Sequence, residues 1–205
     1  MGVVIAVRII PPGLRRPFMI ITTMRQGIGI VCFSIAAACI YGIAHDMVTA
    51  HVCVEYFSIG HPTIIADAGP TELALIWGVI ATWWVGLLLG VPLALCSRLG
   101  AEPRRTVHDL VRPVLMLLAC MAIGSAALGV VGWALARAGA VFLIEPLASR
   151  VPSDCHVAFL ADLWAHLGAY GIGFVGGIVL CIATVRARNR ARRGQGEEAR
   201  QDQGP

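Results

Sequence analysis

"LALIWGVIATWWVGLLLGVPLALC", residues 73–96, decides the fold. It runs for 24 residues without one charged side chain. A helix needs about 20 apolar residues to cross the hydrocarbon core of a bilayer, and this run is long enough. Working outward, residues 26–44 and 113–136 are equally free of charge, and 158–185 carry only Asp162 and His166. These four windows explain why the chain is 58% apolar with a mean hydropathy of +0.78, where a soluble domain is about 45–50% apolar. The expected fold is therefore all-α: an integral membrane bundle of four transmembrane helices, with loops too short to form another domain.

Arginine sets the orientation, since the 16 basic residues include no lysine. Arg8, Arg15, Arg16 and Arg25 precede the first window, and Arg98, Arg104, Arg105 and Arg112 lie between the second and third. Six more follow the fourth, from Arg186 to Arg200, leaving Arg137 and Arg150 on the opposite side. The positive-inside rule places the arginine-rich side in the cytoplasm. Both termini are then cytoplasmic, N-in and C-in, and the 45–72 and 137–157 loops face outward. The domain map has three parts: a basic, poorly ordered N-terminal extension at 1–23, the transmembrane domain at 24–185, and a basic disordered tail at 186–205. The tail's charge reads as a topology anchor, and nucleic acid is not an expected partner. The bilayer is, along with a second copy of the chain or a larger membrane complex.

Charge in the inner half is arginine; charge in the outer half is carboxylate and imidazole. Within 45–61 stand His45, Asp46, His51, Cys53, Glu55 and His61. On the fourth window, Asp162 and His166 are four apart and share a helix face. An ionisable residue in a membrane helix normally faces protein or a water-filled cavity, so this pair calls for partners on another helix. The stretch after Ala44 has neither proline nor glycine until Gly60, which lets the first helix continue past the interface. The alternation of Val48, Val52 and Val54 leaves a strand-like path open as well.

Imidazole and carboxylate together suit a divalent transition metal such as zinc. The candidate ligands are His45, Glu55, Asp162 and His166, with Asp46, His51, Cys53 and His61 supporting the site or binding a ligand beside it. No HExxH motif and no CxxC pair is present. The donor set admits three functions: a metal or small-ligand site, a structural or accessory subunit whose polar cluster only holds helices together, and a metal-free hydrolase or transferase using histidine and carboxylate as acid and base. Whether a reaction is catalysed stays open at this level. Five of the cysteines lie in the windows and read as packing residues. Cys53 and Cys155 are outside them, and an oxidising exterior would permit a bridge between the two. Trp83 and Trp84 read as packing residues in the second window.

The pattern HD-x2-T-x3-C-x-E-Y-F-x3-H-P from His45 to Pro62, together with "WGVIATWWVGLLLG" and "FLADLWAHLGAY", resembles a group of small, uncharacterised bacterial four-span membrane proteins over residues 24–185. The resemblance implies a multi-pass protein of the bacterial inner membrane. It carries no activity with it.

Overall fold

The fold is that of a computed structural model, which describes residues 12–201. Residues 1–11 of the expected N-terminal extension, and 202–205 of the tail, lie outside the described residues. The elements are α1 (Pro12–Val52), α2 (Val54–Ser58), α3 (Pro70–Ile80), α4 (Trp83–Arg98), α5 (Val107–Arg137), α6 (Leu147–Arg150), a 3-10 turn (Ser153–Cys155) and α7 (His156–Gln201). Among the described residues there is no strand. Four helical stretches are long and apolar enough to cross a membrane: Thr23–Val52, Pro70–Arg98, Val107–Arg137 and Ser153–Glu198. Large apolar side chains face outward along them, among them Ile40, Ile123, Val130 and Val175. An apolar exterior is what contact with lipid tails requires.

Two antiparallel pairs build the bundle. α1 lies along α3 and α4, α5 lies along α7, and α4 touches α7 to join the pairs. Small residues set the spacing of the first pair. A Cβ on Gly78 would lie 2.5 Å from the Ile43 Cα, and one on Gly86 would lie 2.6 Å from the Ile35 Cα. The backbones therefore meet directly, the arrangement that favours helix association in lipid, where burial of apolar surface no longer drives it.

Three outcomes depart from or decide the sequence expectation. The first helix does continue past residue 44, to Val52, so the helical path is the one taken there. Cys53 then breaks it with extended backbone (φ −149°, ψ 96°) before the short α2. The second crossing is broken in two at Ala81 and Thr82. The Thr82 amide bonds back only three residues, to the Val79 carbonyl at 3.2 Å. The Thr82 hydroxyl donates to the Gly78 carbonyl, and the Tyr170 hydroxyl donates to the Ala81 carbonyl at 3.4 Å. Side chains thus take carbonyls that the helix ladder would otherwise use. Finally, α7 runs on to Gln201, through a stretch whose composition suggests disorder. Trp83 and Trp84, just past the break, are turned outward rather than packed.

Two apolar cores result, one at each end. At the end carrying the 53–69 and 138–155 loops, Phe57, Phe159, Leu73, Leu143 and Val151 pack together. At the arginine-rich end the core is Ile30, Leu93, Ala94, Leu110 and Val114. Between them lies an elongated cavity of about 110 Å³.

Candidate functional site

His45 and Asp46 stand near the C-terminal end of α1, and His166 stands on α7. One ligand atom of each lies within 4.8 Å of the others. Asp46 is 4% exposed and His166 is 8% exposed. The neighbouring positions His45 and Asp46 both reach α7 because that helix crosses α1 here.

Hydrogen bonds define the state of both rings. His166 Nδ1–H donates to the Asp162 carbonyl at 2.8 Å, one helical turn back. In the neutral ring Nε2 is then an acceptor. That nitrogen sits 3.3 Å from Asp46 Oδ1. Two acceptors at that distance require a positive centre: a second proton on His166, a proton on Asp46, or a cation. On His45, Nδ1 lies 3.3 Å from the Ser125 hydroxyl oxygen. Ser125 gives its own proton to the Ala165 carbonyl at 2.9 Å, so His45 Nδ1–H is the donor and Ser125 the acceptor. His45 Nε2 is left as a lone-pair nitrogen, buried and without a hydrogen-bond partner among the described residues. The two imidazoles meet edge to face with centroids 4.5 Å apart. Each ring thus has one nitrogen committed to an anchoring acceptor and the other free to bind, the usual arrangement behind a metal-ligating histidine.

The surroundings are dry and aromatic. Tyr41, one turn before His45, stacks on its ring at 5.8 Å. Tyr56 stacks on His166 at 4.5 Å, and Phe57, 1% exposed, meets the same ring edge to face. α2 therefore lays two aromatic rings against the histidine from the loop end. Burial, then Tyr170 and the two aspartates, push the Tyr56 phenol above its ordinary range, so it stays protonated.

The remaining sequence candidates fall in other places. Asp162 is 2% exposed, and its Oδ2 has no hydrogen-bond partner among the described residues. It is close enough to Asp46, Cys53 and Tyr56 to act on them electrostatically. Glu55 is not in the compact group, since its carboxylate accepts from Cys53 Sγ at 3.4 Å. Burial pushes the Cys53 thiol up to about 12. Cys155 also lies beside Glu55, and both cysteines are free thiols. His51 is exposed, donates Nδ1–H to the Met47 carbonyl at 2.7 Å, and accepts from Thr71 at 3.4 Å. His61 donates to the Tyr56 carbonyl at 2.9 Å among Tyr56, Phe57 and Trp77. Burial lowers its pKa against the raising effect of that hydrogen bond.

Sequence reasoning does not find Ser125, Tyr41 or the role of Tyr56 and Phe57. Tyr41 is detectable in principle, four residues before His45 on the same face. Ser125 has no signal of its own: one small hydroxyl in a charge-free helix normally bonds its own backbone. No protein-family model matches the chain, and comparison with curated proteins and with solved structures finds no significant match in either.

Proposed function

We propose that this is a multi-pass protein of the bacterial inner membrane that holds a divalent transition-metal ion between His45, Asp46 and His166. One observation carries this: His166 Nε2 and Asp46 Oδ1 face each other at 3.3 Å while the other nitrogen of His166 is already committed to a carbonyl. A cation resolves that opposition of lone pairs and also gives His45 Nε2 a partner. Two imidazoles and one carboxylate form the donor set of zinc sites with an open position and of non-haem iron sites. Asp162 would act from behind, through the carbonyl that orients His166. The arginine bias supports an orientation with both termini in the cytoplasm, which puts the site near the outer interface.

Metal analysis of the detergent-purified protein tests this. Wild type is expected to carry or take up one zinc, iron or manganese ion per chain, and His166→Ala none. The same 3.3 Å contact favours a second function, an ion pair between protonated His166 and Asp46 that ties α7 to α1. If wild type binds no metal and His166→Ala chiefly lowers the unfolding temperature, the ion pair is the role of these residues and the metal site is wrong.

A further inference from the structure

The cavity between the two cores begins at the metal-ligand group and leads away from it. Tyr41, His45, Asp46, Thr82, His166 and Tyr170 give its polar end. From there it follows α1 back to Ser34 and α7 onward to Leu180. The eleven helical steps from Ser34 to His45 measure about 16 Å along the helix, which is close to half the ~30 Å hydrocarbon core, the depth one lipid tail covers in its own leaflet. Its width comes from small residues on three helices: Ala37 and Ala38, Gly86, and Ala169, Gly173 and Gly177. The path these residues leave is narrow and apolar over that length, which suits a hydrocarbon chain. Beyond its polar end the walls are aliphatic side chains, methionine and glycine apart from Ser34 at the far end, whose hydroxyl donates to the Ile30 carbonyl, so water finds few partners there.

We infer that the slot takes one straight hydrocarbon chain, and that the ligand is a fatty-acid-type amphiphile whose carboxylate lies at His45, Asp46 and His166. The head-group half rests on the metal reading: a carboxylate beside Asp46 needs the cation between them, on a coordination position that the three protein ligands leave open. The chain half rests on the slot alone. Ligand recognition is then divided, with length and straightness read by the slot and the acid group read by the metal.

The test uses the full chain, delipidated in detergent, with all-trans-parinaric acid as the probe, because its chain is straight and its fluorescence rises in a dry apolar site. Saturable uptake of one probe per chain is expected, displaced by palmitic acid and not by the branched isoprenoid alcohol farnesol. Val85→Trp and Leu118→Trp, which fill the slot from α4 and α5 without touching the ligands, should each weaken the probe at least tenfold and leave metal content unchanged. Removing the metal with a chelator should weaken it at least tenfold as well. Mass spectrometry of lipid co-purified with wild type, expected to find fatty acid, needs no variant to fold. Metal uptake without saturable probe binding overturns the inference and leaves the metal site standing. Equal displacement by farnesol overturns the straight-chain assignment, and unaltered binding in both folded tryptophan variants overturns the slot. Probe binding that is blocked by tryptophan in a protein that takes up no metal supports the slot and overturns the metal site with its head-group role.

Discussion

Arg188 and His166 lie on the same helix and are buried to the same degree, 8% exposed each, yet their surroundings are opposite. Arg188 donates to four carbonyls. Nε bonds Pro103 at 2.9 Å, Nη2 bonds Leu99 at 2.8 Å and Ala101 at 2.7 Å, and Nη1 bonds Cys96. These are the open carbonyls at the C-terminal end of α4 and the turn after it, where a positive charge is also favoured by the helix dipole. Donors and acceptors match. Around His166, one ligand atom each of His45, Asp46 and His166 lies within 4.8 Å of the others, and His45 Nε2 and Asp162 Oδ2 have no hydrogen-bond partner among the described residues. Most buried polar groups are satisfied within the protein, and a cluster of ligand atoms left without partners calls for an explanation such as a bound ion. The arginine end is a clamp, and the histidine end is a receptor.

The comparison breaks most easily at the clamp. Arg188→Met strands four carbonyls, and even with some of them rehydrated the loss should be about 3 kcal/mol or more, since each buried unpaired group costs about 1–3 kcal/mol. Thermal unfolding in detergent reads it, and an unchanged midpoint would remove the clamp. At the receptor end, His45→Ala loses one long hydrogen bond, so the metal-free protein should lose only about 1 kcal/mol. Its metal uptake should vanish. A loss of stability as large as that of Arg188→Met, with metal retained, would reverse the assignment of the two ends.

Ser125→Ala sharpens the contrast further, because it leaves every ligand in place and removes the acceptor that orients His45 together with one bond to the Ala165 carbonyl. Loss of such an anchoring partner typically costs 10–100-fold in metal affinity, against about 1 kcal/mol of stability. Isothermal titration with zinc separates the two quantities. The smallest effect concerns Cys53, 2% exposed with its thiol held neutral until about pH 12. At pH 8 its alkylation should be far slower than that of a cysteine placed at the exposed Ser58, because only the thiolate reacts. Comparable rates would mean that α2 does not close over this end.

Much of this molecule is legible in its sequence. Charge-free runs of sufficient length mark the four helices long and apolar enough to cross a membrane, because backbone groups in a bilayer must bond within their own segment and leave few alternatives to a helix. The i, i+4 spacing of Asp162 and His166 is visible for the same reason. The break at Ala81–Thr82 is not, since it depends on a hydroxyl contributed by Tyr170 and on a carbonyl that Thr82 happens to reach. Nor is the helical course of residues 186–188 beyond the apolar run, which Arg188 holds by reaching back to carbonyls more than 80 positions away.

The candidate site divides along the same line. By itself the sequence determined that imidazoles and carboxylates from two distant segments belong to one end of a helical bundle, because topology sorts charge by side. Only the tertiary structure decided that Asp46 rather than Glu55 stands with the two histidines. Position along α1 leaves Asp46 on the face that meets α7, whereas the kink at Cys53 carries Glu55 onto a separate helix and into the company of two cysteines. Ser125 and the slot also needed three dimensions. A hydroxyl that orients a histidine and a void are defined by what surrounds them, and those neighbours come from helices far apart in the chain.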